Sequence, residues 1–146
     1  MRFLVDTNVF LDYLLGREPY SEEAESFFRL SRAGRHQIYI CSMSLRDIGY
    51  MAHKYYHDKE IANKIQLKSY CICTKVVDLS ASSAIEGIYE DNTDYEDFLI
   101  SNTANENSCD IIVTNNVKDF KNSRIPALSL SDVNKALLYV NKSLEF

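Results

Sequence analysis

Phe3-Leu4-Val5-Asp6-Thr7-Asn8-Val9-Phe10 decides the fold. An apolar run ends in a carboxylate, and a helical pattern follows at once. A short apolar run without alternation reads as a strand buried on both faces, as in a parallel sheet. The same grammar recurs along the chain. Ile38-Tyr39-Ile40-Cys41 leads through Ser42 and Ser44 to Asp47, and Ile111-Ile112-Val113 runs into Thr114-Asn115-Asn116 and then Asp119. Between them, Asp94 and Asp97 open a further helical pattern. In open α/β sheets, ligands bind beyond the carboxyl ends of the strands. Acids at several strand ends therefore face one crevice. Clustered carboxylates repel one another and call for a cation. Hard oxygen donors favour Mg²⁺ or Mn²⁺. This is the skeleton of a metal-dependent phosphodiesterase.

The rest of the chain fits the same plan. Strands are predicted at residues 2–6, 37–41, 74–79, 110–114 and 126–129. A short helix spans Asn8 to Leu15 and stops at Gly16. A second opens at Tyr20-Ser21-Glu22-Glu23 and ends near Gly34. Leu45, Ile48, Met51, Ala52 and Tyr55 form the stripe of a helix from Ser44 to His57. Further helices are expected over 58–70, 80–89, 94–105 and from Ser131 onward. Strands alternating with helices require a parallel sheet covered on both faces. The expected fold is a three-layer α/β/α sandwich around about five parallel strands. By length, residues 1–146 form one domain.

Composition narrows the class. Four glycines and two prolines leave little room for linkers. The net charge of −5 argues against a broad basic DNA-binding face. It does not argue against nucleic acid at a metal site, where the ion supplies positive charge. Arg46, Lys118, Lys121 and Arg124 lie near the expected crevice, where a solvated surface role is the commoner one. Cys41 and Cys109 read as small buried hydrophobes. Cys71 and Cys73 form a lone C-x-C, which argues against zinc. No segment reads as a signal peptide or membrane span. A soluble, reduced, cytoplasmic protein is expected.

Each acid also has a structural reading. Asp6 is suited to cap the first helix. A phosphatase of the haloacid dehalogenase type would want a second aspartate two residues on, where Asn8 stands. Ser44-Leu45-Arg46-Asp47 approaches a capping box. Asp94 can cap its helix, whereas Asp97 lies beside the buried stripe of Phe98, Leu99 and Ile100 and can point into the crevice. Asn115 and Asn116 suit a turn. Asp110 precedes its strand, at the far end of the sheet, and reads as structural. His36, His53 and His57 share no spacing that points to catalysis. No nucleophile elbow, P-loop or dinucleotide fingerprint is present.

Taken in order, Val5-Asp6-Thr7-Asn8-Val9, Ser42 to Asp47, Asp94-Tyr95-Glu96-Asp97-Phe98-Leu99 and Ile112-Val113-Thr114-Asn115-Asn116-Val117-Lys118-Asp119-Phe120 resemble the PIN domain family. This is the fold of VapC-type toxins of bacterial toxin–antitoxin modules. The last run, of the form V-T-x-N-x-x-D-F, is similar to one bacterial subgroup. The resemblance implies a ribonuclease dependent on Mg²⁺ or Mn²⁺, acting on RNA. It also implies an antitoxin partner and a homodimer. By the same resemblance, Asp6 and Asp97 match family acids, and Asp47 stands where glutamate is usual. Asn116 stands where many members carry a fourth aspartate, and Asp119 is the nearest carboxylate to replace it. Thr7 and Thr114 match polar positions that orient the acids. These departures leave two alternatives: a nuclease using Asp6, Asp47, Asp97 and Asp119, with Asn116 as a further metal ligand, or a nucleic-acid-binding module with weakened catalysis. A small-molecule phosphatase is a third and weaker reading.

Overall fold

The computed structural model describes residues 1–143, so the last three residues of the expected 1–146 domain lie outside the described residues. Five parallel strands form one sheet: β1 (Arg2–Val5), β2 (Gln37–Cys41), β3 (Lys75–Val77), β4 (Ile111–Val113) and β5 (Ala127–Leu128), in the order β3-β2-β1-β4-β5. Among the described residues seven helices cover it: α1 (Thr7–Leu14), α2 (Ser21–Ala33), α3 (Ser42–Tyr56), α4 (Lys59–Cys71), α5 (Ala81–Ile88), α6 (Tyr95–Glu106) and α7 (Leu130–Ser143). A short 3₁₀ turn, Val117–Phe120, follows β4. The expected three-layer α/β/α architecture is the one observed.

The pleat sorts the strand residues onto two cores. Phe3, Val5, Ile38, Ile40 and Val113 face α1, α2, α3 and α7, where Phe10, Phe27, Phe28 and Leu137 are buried. Phe3 meets Phe27 edge-on with ring centroids 5.5 Å apart, and Phe10 lies 5.3 Å from Phe28. Leu4, Tyr39, Cys41 and Ile112 face the other way, onto Ile100 and Ala104 of α6 and onto Phe120. Each large side chain withdrawn from water contributes roughly 1.5–3 kcal/mol. Cys41 and Cys109 are buried, as read, and among the described residues all four cysteines are free. No helix among the described residues is long and apolar enough to cross a membrane.

The topology fixes where a ligand can sit. The chain builds outward from β1 to β2 and β3, then returns to the other side of β1 with β4. The crevice between β1 and β4 is therefore the switch point of the sheet. Asp6 leaves β1 at this crevice and Thr114 leaves β4 beside it. Asp110 lies at the opposite end, where its carboxylate accepts the Arg2 backbone N–H at 2.7 Å.

Candidate active site

Asp6 occupies the N-cap position of α1, yet its side chain makes no capping hydrogen bond. Its carboxylate accepts the Thr114 hydroxyl at 2.9 Å instead. The backbone joins the same two strands, with Asp6 N–H donating to the Val113 carbonyl at 3.0 Å. Asp6 is 9% exposed. Burial pushes its carboxyl pKa above the ordinary 3.8, the Thr114 hydroxyl only partly offsets this, and Glu96 and Asp119 add to the rise. Next to it, the Thr7 hydroxyl donates to Ser44 Oγ at 2.8 Å and fastens α1 to α3.

The capping reading of Asp47 fails. α3 starts at Ser42, two residues earlier than the sequence implies, and its first turn contains no acid. Ser44 is buried inside the helix and takes the bond from Thr7. One turn further on, Asp47 lines the crevice and accepts Arg46 Nη1 at 3.0 Å. At the start of α6 the capping role belongs to Asp94, whose carboxylate accepts the backbone N–H of Glu96 and Asp97. Asp97 is left to face the crevice. Burial raises its pKa to about 6, with the charges of Asp6, Asp94, Asp119 and Glu96 adding to the effect.

Asp6, Asp47, Asp97 and Asn116 thus line one cleft of about 310 Å³, together with Glu96. The sequence gives Glu96 no role. Its position one residue from Asp97 in the first turn of α6 was the available signal. Asp119 does not line this cleft. It borders a neighbouring one of about 440 Å³ with Ser101, Asn102 and Arg124. It lies near enough for its charge to raise both Asp6 and Asp97. Asn116 begins the 3₁₀ turn, where its backbone N–H donates to Thr114 Oγ1 at 3.1 Å. The neighbouring Asn115 points elsewhere and donates to Asp12 at 2.7 Å.

The donor set suits a hard divalent cation. Its ligating atoms are oxygens, neighbouring acids add to the raised pKa of Asp6 and of Asp97, and the arginine on the cleft is engaged by Asp47. Among the described residues, no three Asp, Glu, His or Cys side chains are already gathered around a point as a closed metal cage. Mg²⁺ does not require such a cage. It commonly keeps several waters and takes one or two carboxylates plus substrate phosphate. Asp6 and Asp97 are the side chains that would hold it, with Asp47, Glu96 and Asn116 within the same cleft.

Fold, cleft and donor set together define a PIN-type α/β domain. The PIN domain family profile matches residues 2–118, and the chain belongs to that family. The matched region contains Asp6, Asp47, Asp97 and Asn116 and ends one residue short of Asp119. No curated protein sequence matches the chain. Solved structures do. VapBC2 from Rickettsia felis, bound to a DNA fragment from its promoter, superposes with a TM-score of 0.65 at 21% identity, covering 88% of this chain and 98% of that one. DNA-bound VapBC from Salmonella typhimurium gives 0.66 at 20%, covering 89% and 98%. A toxin–antitoxin complex from Klebsiella pneumoniae gives 0.59 at 23%, covering 87% and 96%. At these identities the likeness is one of fold.

Proposed function

We propose that this chain is an endoribonuclease dependent on Mg²⁺ or Mn²⁺, and that it is the toxin of a toxin–antitoxin pair. The observation that carries the nuclease reading is the acidic cleft at the sheet's switch point, where Asp6 is buried with no cationic partner among the described residues. The antitoxin follows from the structural neighbours, which are themselves complexes of that kind. A bound divalent ion would supply charge neutralisation at the scissile phosphate and activation of the attacking water.

The chain's own residues set the stage. Thr114 holds Asp6 in one orientation, so the carboxylate is positioned before any ligand arrives. Asp97, whose carboxyl pKa is raised by burial and by the charges of its acidic neighbours, would give up its proton in exchange for a divalent ion bound beside Asp6. Arg46, on the rim of the cleft, is placed to meet phosphate once its partner Asp47 turns to other work.

Two observations favour the weakened-module alternative: Asn116 provides no charge, and Asp47 is tied to Arg46. Cleavage of RNA by wild type and Asp6→Asn over a Mn²⁺ titration separates the two readings. The nuclease reading expects wild-type cleavage that is lost by a factor of about a hundred or more in Asp6→Asn, the scale seen when one charge-stabilising group is removed. Equal cleavage by both proteins would mean a different site or a contaminant. RNA binding that is indifferent to EDTA, with no cleavage, would favour the module.

A further inference from the structure

Beside the acidic cleft lies a groove between α3 and α4. Arg46, Tyr50 and His53 lie at positions i, i+4 and i+7 of α3 and so share one helix face. Arg46 and Tyr50 line both the cleft and the groove, which makes the two adjacent. The groove measures about 510 Å³ and is closed on its far side by Lys59, the first residue of α4. Its floor is set by Gly49. A Cβ there would come within 2.7 Å of Gln66 Nε2, the same atom that donates to the Leu45 carbonyl at 2.8 Å. A side chain at residue 49 would displace the Gln66 amide from the Leu45 carbonyl and change the shape of the floor.

The chemistry of the groove is the reverse of the cleft's. Arg46, His53 and Lys59 line it, and no aspartate or glutamate does. Arg46 is shared with Asp47 of the cleft at 3.0 Å, so Lys59 is the cation of this groove that is left for a ligand. Lys59 makes no ion pair among the described residues. It also stands at the positive end of the α4 dipole, where a cation is locally disfavoured. Tyr50 is 59% exposed, and the Arg46 guanidinium lies 5.9 Å from its ring centroid. A flat aromatic face beside cations, next to an acidic cleft, is suited to a base flanked by phosphates. An ordinary solvated helix face accounts for exposed lysine and tyrosine singly. It does not account for the absence of acid from the groove's lining beside a cleft with which it shares Arg46 and Tyr50.

We infer that this groove seats a single-stranded RNA segment adjoining the bond to be cleaved, with a base stacked on Tyr50 and the neighbouring phosphates held by Arg46 and Lys59. The inference rests on the nuclease reading and names where its substrate lies. The test is fluorescence anisotropy of a short labelled oligouridine in EDTA, so that binding is read without cleavage. Tyr50→Ala should weaken binding about tenfold, while Tyr50→Phe should hold it within about twofold, because the stacking face is retained. Lys59→Gln should lower the slope of log affinity against log salt by about 0.7, the value for one phosphate contact on a single strand. Duplex RNA of equal length should compete poorly, since its bases are already stacked. Wild-type affinity in both Tyr50→Ala and Lys59→Gln, or no binding by wild type, would overturn the groove. So would unchanged RNA affinity in a Tyr50→Ala protein whose sedimentation shows loss of a dimer, which would make the groove a contact between copies. Tyr50-dependent binding without Mn²⁺-dependent cleavage would support the groove and overturn the nuclease reading instead.

Discussion

Two buried aspartates flank the first helix, and only one of them has been given a cation. Asp12, near the end of α1, accepts Arg17 Nε at 2.9 Å on one oxygen and Asn115 at 2.7 Å on the other. Arg17 also reaches the carbonyl and side-chain oxygens of Asn8, closing the network. Asp6, at the start of α1, has the Thr114 hydroxyl and the Thr7 backbone N–H to set against its burial, has no cationic partner among the described residues, and faces other acids. Burial raises both carboxyl pKa values above the ordinary 3.8. At Asp12 the guanidinium and the amide work against that rise. At Asp6 the neighbouring charges add to it. A carboxylate that the fold neutralises from within is structural. One that the fold buries and leaves facing like charge is prepared for a cation from outside.

The comparison breaks most visibly at Arg17. Replacing it, as Arg17→Met, leaves the Asp12 charge buried with Asn115 alone. Removing one partner of a fully buried pair costs about 3–5 kcal/mol. Arg17 is 34% exposed, which allows water to compensate in part, so a loss of roughly 2 kcal/mol in urea unfolding is expected. A loss under about 0.5 kcal/mol, the size of an ordinary surface substitution, would show that Asp12 never needed its cation.

Asp97 should respond in the opposite direction. Its folded pKa of about 6 lies above the ordinary 3.8, so the folded state holds this proton more tightly than the unfolded chain. The sign follows by linkage: metal-free stability should fall as pH rises from about 4 to about 6, then level off. Asp97→Asn removes that fall. At neutral pH, without metal, it should be more stable than wild type by on the order of 1 kcal/mol, once the group's partial exposure to solvent is discounted. Thermal unfolding across this pH range checks it. Destabilisation by Asp97→Asn would mean the carboxylate is a structural partner, like Asp12.

The smallest change expected is a gain. Asn116→Asp adds a carboxylate to the cleft where many family members have one. Mn²⁺ should bind several-fold more tightly, on the order of 1 kcal/mol, with the metal-free protein slightly less stable. Unchanged metal affinity would place residue 116 outside the coordination sphere.

The strands and their terminal acids were legible because buried runs such as Phe3–Val5 and Ile111–Val113 have few other readings. The start of α3 was misread. Ser44 and Asp47 imitate a capping box, but the helix begins at Ser42, whose side chain accepts the Leu79 backbone N–H from across the sheet edge. Such a contact has no local signature. The Asp12–Asn115 bond joins residues 103 positions apart, so the local pattern around Asn115 reads as a turn and carries no sign of its partner. Asp119 looked equivalent to the cleft acids because it follows the same strand. The 3₁₀ turn carries it around into the neighbouring cleft. The groove beside Tyr50 depends on how α3 and α4 face one another, which spacing along one helix does not encode.

The most direct test of the contrast between the two aspartates is calorimetric titration of Mn²⁺ into metal-free wild type and Asp6→Asn at neutral pH. Wild type should show a saturable site, and Asp6→Asn should lose it while unfolding at the same temperature or higher. Equal Mn²⁺ binding by the two proteins would contradict the assignment of the Asp6 cleft as a cation site.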